Sequence, residues 1–161
     1  MAHANTIFDS LIADHRKHRA LLEQIDAAEA GSTHHRALFE EFTLEVKAHA
    51  AAEEQAFYST IMRKPTLTEE TRHSVSEHKE IEDLLNELAA TDPKSDEWED
   101  SYAELRHQYL HHIDEEEEDV FPAATEVLSE EDERHMRSVF ERRKAIEKDE
   151  AEITPEKEHQ E

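Results

Sequence analysis

The chain of 161 residues contains no cysteine, which removes disulfides, thiolate metal sites and thiol nucleophiles together and leaves the redox compartment open. Any metal ion it holds must be held by nitrogen and oxygen. One glycine, Gly31, and four prolines leave few places where a helix must stop. Positive charge is scarce, with 18 Lys and Arg against 42 Asp and Glu and a net charge of −24 when histidine is neutral. A field of that sign repels nucleic acid and anionic lipid and attracts cations, so no nucleic-acid or membrane partner is expected. No segment approaches the roughly 20 apolar residues that span a bilayer, and Met1 to Ala20 hold no apolar run of signal-peptide length. These absences predict a soluble cytoplasmic protein of one domain with a single core.

What the chain does have is helical periodicity. Phe8, Leu11, Ile12, His15, His18, Leu22 and Ile25 form one stripe between about Asn5 and Glu29. After Gly31 and Ser32, a second stripe carries Leu38, Phe42, Val46, His49, Glu53 and Phe57 towards Pro65. Thr68, Glu69 and Glu70 open a third helix bearing Val75, His78, Ile81, Leu85 and Leu88, which Thr91-Asp92-Pro93 stops. A fourth, from near Ser95, shows Tyr102, Leu105, Tyr109, His112, Glu116 and Val120, and Pro122 is expected to kink or end it. Ser129 caps a short fifth helix reaching about Glu150. The expected fold is all-α, an antiparallel up-down-up-down four-helix bundle with that fifth helix, spanning residues 1–150. Residues 151–161 are charged, contain Pro155 and lack apolar periodicity, which predicts a disordered acidic tail.

One pattern occurs twice. A histidine is followed four residues later by a glutamate, with an apolar pair at the eighth and ninth positions after the histidine: His49, Glu53, Phe57 and Tyr58, then His112, Glu116, Val120 and Phe121. Residues four apart on a helix share a face, so each copy aims an imidazole and a carboxylate at one point, as a metal half-site requires. Counted from the hairpin turns, His15, His49, Glu53 and His78 fall at matching depth, and a loop extended towards Ser95 brings His112 and Glu116 into the same layer. A lone histidine on an apolar stripe is ordinarily a hydrogen-bonded core residue. Two glutamates buried among four histidines are a different matter, because uncompensated carboxylates inside a bundle cost several kcal/mol or take up protons. A cation in that layer resolves the conflict.

These elements resemble the hemerythrin-like, or HHE cation-binding, domain family: Asp14-His15-Arg16 on the first helix, His49 to Tyr58 on the second, Glu77-His78 on the third and His112 to Pro122 on the fourth. The resemblance covers about residues 5–150. It implies a non-haem centre of two iron ions, oxo- and carboxylate-bridged, with His15, His49, His78 and His112 as terminal ligands and Glu53 and Glu116 as bridges. The donor chemistry agrees with this independently: imidazole suits iron and zinc, and carboxylates able to span two ions favour a dinuclear site. Zinc or manganese are the alternative metals.

The chain departs from the oxygen-carrying members in one respect. Those are expected to have a second histidine four residues from that of the third helix, whereas here Ser74 precedes His78 by four and Glu82 follows it by four. Two open metal positions suit redox chemistry better than reversible oxygen carriage. His18 and Glu82 are candidate extra ligands, and Tyr58 and Tyr109 are candidates to bond a ligand or a bound oxygen species. His73 and His111 are rotated about 100° from stripe or ligand positions, and His34, His35, His107 and His135 are expected at the surface. Glu54 and Glu117, one residue beyond the bridging glutamates, can hydrogen-bond neighbouring helices, with solvent as the commoner outcome for such residues. The implied function is binding, sensing or detoxifying oxygen, nitric oxide or peroxide, with catalysis left open. No output domain is visible in the sequence, which favours binding or detoxification. The competing classes are iron storage or delivery and a redox-silent bundle stabilised by zinc.

Overall fold

A computed structural model describes residues 5–156. The long helices are α1 (Ile7–Ala27), α2 (Thr33–Glu53), α4 (Thr68–Ala89), α5 (Asp96–Glu115) and α7 (Glu130–Glu150). Their starts are set by side chains that satisfy free backbone donors. Ser32 accepts from the His35 N–H, Ser95 from that of Trp98 and Ser129 from that of Asp132. At α1 the Asp9 carboxylate accepts from the Asn5 and Thr6 N–H groups at 2.7 and 3.3 Å. Gly31 turns the chain between α1 and α2 at φ +78°, a conformation other residues adopt only under strain.

Two of the helices are not α-helical throughout. α2 passes into a π-helical turn at Glu54–Tyr58 before the short α3 (Ser59–Ile61), and α5 passes into another at Glu116–Val120 before α6 (Phe121–Val127). The two turns occupy the same place in the two copies of the sequence pattern, at the glutamate or immediately after it. A π turn bonds residues five apart, so both members of the apolar pair face inward: Phe57 and Tyr58, and Val120 and Phe121, are all buried. The pair was the sequence's trace of this widening. Pro122 does not end the fourth helix. It stands at the start of α6, where a missing N–H breaks no established ladder, and the chain stays helical to Val127.

α1, α2, α4 and α5 form the antiparallel bundle, and α7 packs across α1 and α2. At 21 residues α7 matches α1 and α2 in length, so the fifth helix is a full structural member and not a short appendage. It contributes Met136 and Phe140 to the core. The buried apolar residues form two clusters. One holds Ile7, Phe8, Leu11, Phe57, Phe121 and Phe140, and the other Leu22, Ile25, Phe42, Leu85, Trp98 and Leu105. Between them lies a buried polar layer. Residues 151–156 are irregular yet attached: the Glu156 N–H donates to the Asn86 carbonyl at 3.0 Å, and Lys47 Nζ donates to Asn86 Oδ1 and the Glu152 carbonyl at 2.8 and 2.9 Å. The rest of the expected tail, 157–161, lies outside the described residues. No helix among the described residues is long and apolar enough to cross a membrane.

Candidate metal centre

The polar layer brings together all six residues expected there. His15, His49, Glu53 and Glu116 form one group, and Glu53, His78, His112 and Glu116 a second, each with one donor atom per residue within 4.8 Å of the others. Both glutamates belong to both groups. His15 Nε2 stands 3.3 Å from Glu116 Oε1, His78 Nε2 3.1 Å from Glu53 Oε1, and the Nε2 atoms of His78 and His112 lie 3.1 Å apart. All six side chains are buried, at no more than 7 % exposure.

Each histidine is held from behind by a carboxylate on its Nδ1. Asp14 bonds His49 at 2.8 Å, Glu54 bonds His78 at 2.8 Å, Glu77 bonds His112 at 2.9 Å, and Glu117 bonds His15 at 2.7 Å. The pattern closes on itself. α1 supplies the acid for α2, the start of the first π turn the acid for α4, α4 the acid for α5, and the second π turn the acid for α1. Every one of these acids is adjacent in sequence to a layer residue of its own helix, so it is rotated about 100° from the centre and meets the next helix in the ring. Glu54 and Glu117 therefore do not simply face solvent. The signal was present as an acid beside each inward residue, but only the helix arrangement shows which histidine each acid meets. A neutral imidazole whose Nδ1 donates to its carboxylate turns an Nε2 lone pair inward, the tautomer a metal ligand needs.

The ring is anchored further out. Lys144 of α7 reaches Asp14 Oδ1 at 2.6 Å, and Arg19 reaches Glu117 Oε2 at 3.0 Å. Phe140 of α7 meets the His49 ring edge-on, with centroids 5.7 Å apart. Burial opposes the charge on Asp14, but His49 and Lys144 outweigh it and hold the carboxyl well below its usual range. Burial likewise disfavours a charged His15, yet Glu116 and Glu117 raise it to about 9. Burial carries His49 down to about 4 despite Asp14. Of the two central carboxylates, Glu53 is pushed well above the usual range by burial and by Glu116, while Glu116 is held well below it because His112 and His15 outweigh its burial. The two central carboxyls are thus driven in opposite directions by one shared layer.

Tyr58 donates its hydroxyl to Glu116 Oε2, and Tyr109 is hydrogen-bonded to His18 Nδ1 at 2.6 Å. Burial, with Glu116 and Glu53 next, raises both phenols well above their usual value. His18 is wholly buried and edge-on to His49 at 5.2 Å, but it is in neither donor group. Burial and His49 depress its basicity well below normal. Glu82 is exposed and outside both groups, because the turn beyond His78 carries it to the rim of a cavity. That cavity, of about 340 Å³, lies between α2, α4 and α5 and reaches His49, His78, His112 and Tyr109. His35, expected at the surface, is buried against Trp98 with ring centroids 4.8 Å apart. His34, His107 and His135 are exposed.

The donor atoms of the layer fit a bound cation. The Nε2 atoms of His15 and His49, both carboxylate oxygens of Glu53 and Oε1 of Glu116 are buried with no hydrogen-bond partner. Orphaned acceptors of this kind are costly one at a time, and here they converge on shared points. Imidazole and carboxylate are a donor set for iron, zinc or manganese.

A four-helix bundle with two histidine and glutamate groups joined through shared carboxylates defines a class of helical cation-binding protein. The Hemerythrin HHE cation binding domain family matches residues 6–124, and the chain belongs to that family. It is 29% identical over 143 residues to an uncharacterized hemerythrin-like protein of Schizosaccharomyces pombe, across 86% of this chain and 68% of the relative. The crystal structure of a hemerythrin HHE cation binding domain-containing protein from Mycobacterium kansasii superposes with a TM-score of 0.79 at 24% identity, covering 93% of this chain and 90% of that one. That likeness supports the fold.

Proposed function

We propose that the polar layer holds two iron ions and that the protein binds and turns over a small oxidant, peroxide in the first place, with oxygen and nitric oxide as related ligands. The observation that carries this reading is the sharing of Glu53 and Glu116 between the two donor groups. His15, His49, His78, His112, Glu53 and Glu116 are the residues that would hold the ions, and iron there would supply electrons and Lewis acidity for a small oxidant.

The surrounding residues have defined tasks. The carboxylates on Nδ1 fix each imidazole, and the ring of four resists rotation of any one helix. Tyr58 holds its hydroxyl proton against the Glu116 carboxylate. The cavity offers a small molecule a path, its wall apolar at Val46, Val75, Ile81 and Leu85. Ser74 is buried one turn before His78, where a further α4 histidine would stand in an oxygen carrier, and it offers no imidazole there.

Metal analysis of protein purified without added metal, paired with its visible spectrum before and after oxygen, tests the reading. About two irons per chain, with charge-transfer bands that change on oxidation, are expected. Zinc with a featureless spectrum supports a structural role instead, and iron well above two per chain supports storage. In the double variant Glu53→Ala, Glu116→Ala, most iron is expected to be lost while helical content persists. Full iron retention there removes the bridging assignment.

A further inference from the structure

The His-x-x-x-Glu spacing recurs outside the buried layer. On α4 it is His73 and Glu77, and on α5 His111 and Glu115, one residue before His112 and Glu116. The two pairs face each other across the α4 and α5 interface. His73 Nε2 lies 3.4 Å from Glu77 Oε2 and 3.4 Å from Glu115 Oε1, and the donor atoms of these three residues all lie within 4.8 Å of one another. His111 Nε2 approaches the other oxygen of Glu115 at 3.2 Å.

Tetrahedral coordination with metal bonds of about 2.0–2.1 Å places neighbouring ligand atoms about 3.3 Å apart, so the two His73 contacts are compatible with three ligands of one small cation. The donors differ from a solvated acidic patch, since an imidazole sits between two carboxylates supplied by different helices. One of those carboxylates is held on its other oxygen: Glu77 Oε1 is bonded to His112 Nδ1 at 2.9 Å.

We propose that His73, Glu77 and Glu115 form a second, surface site for one divalent first-row cation of the zinc class, with water completing its coordination and His111 steadying Glu115. Imidazole and carboxylate together suit such ions. Beside the site lies an open groove with Glu69, Glu70, Glu118 and Asp119 on its walls, which concentrates cations there. Glu77 touches both this site and His112, so a cation bound here is one carboxylate away from the buried layer. The proposal does not depend on which metal, if any, that layer holds.

The test is equilibrium dialysis of the full chain against zinc, with and without the Glu53→Ala, Glu116→Ala pair that removes the buried site. Both proteins are expected to bind one zinc at the surface, and His73→Ala or Glu115→Gln in either is expected to weaken that zinc by tenfold or more. Glu69→Gln with Glu70→Gln should change its affinity less than threefold. His73 is more than half exposed, so its removal leaves the fold intact, as helical circular dichroism will verify. If the chain lacking the buried site takes up no zinc, the site does not exist. If its zinc survives His73→Ala but falls with the Glu69 and Glu70 pair, the acidic groove alone binds the ion and the assignment is overturned. A failure of the iron reading changes the metal content of the wild type only, and so is distinguishable.

Discussion

Glu53 and Glu116 are the same residue type at the same place in two copies of one pattern, yet burial and their neighbours drive them in opposite directions. Histidines stand near both, His78 Nε2 3.1 Å from Glu53 and His15 Nε2 3.3 Å from Glu116, but burial and the charge of Glu116 prevail at Glu53, whereas His112 and His15 outweigh burial at Glu116. A cation that satisfies both removes the asymmetry, and the backing carboxylates decide how well the histidines receive it. Replacing Asp14 by Ala frees the His49 ring and should weaken metal binding by roughly 10–100-fold, measured by competition with a chelator, with little change in helical content. The same reasoning assigns Glu54 and Glu117 a larger effect on metal affinity than other glutamates of similar exposure.

At the scale of elements, the π turns and α7 do what a regular four-helix bundle would not. Each π turn lets an apolar pair follow the glutamate inward, so Tyr58 reaches Glu116 across the layer. α7 seals the α1 and α2 side through Phe140, 1 % exposed, and through lysines that converge on the buried Glu45. Phe140→Ala should cost about 3–5 kcal/mol in denaturant unfolding, the range for an aromatic lost from a packed core. Lys148 at 2.6 Å and Lys17 at 3.1 Å outweigh the burial of Glu45 and hold its carboxyl below the usual range. A carboxyl depressed in the folded state stabilises above its unfolded pKa of about 4.3, and that contribution disappears as pH falls through the folded value. Glu45→Gln should therefore lower stability by about 1 kcal/mol at neutral pH, a value reduced because both lysines are about half in water, and flatten the acid side of the stability curve below about pH 4.5. Thermal melts of the two proteins from pH 3 to 7 measure the difference.

The whole molecule carries a charge of −24 with few cations to balance it. Self-repulsion on that scale works against compactness, and a bound cation acts against it locally while also satisfying the orphaned donors of the layer. Removing metal by chelation should lower the melting temperature, since a ligand present at about 1,000 times its Kd stabilises by about 4 kcal/mol. In the metal-free chain, raising salt from about 10 mM to about 0.5 M should recover part of that loss by shortening the range of the repulsion. A melting temperature independent of both metal and salt would show that the buried layer and the surface field contribute little to stability.

Read alone, the sequence determined the helices, their order and the six residues of the layer, because helical periodicity and four-residue spacing are local properties that fix which face a side chain occupies. It also determined, through the absence of cysteine and the excess of acid, that a bound metal would meet only nitrogen and oxygen. Three things required the tertiary structure. The pairing of Asp14 with His49 and of Glu117 with His15 spans 35 and 102 residues, and no local rule says which helix stands beside which. The burial of His35 depends on the distant Trp98 ring that covers it. The bounds of α7 could be read from the Ser129 cap and the charged stretch after Glu150, but its role in bracing Asp14 through Lys144 depends on where it docks, against α1 and α2.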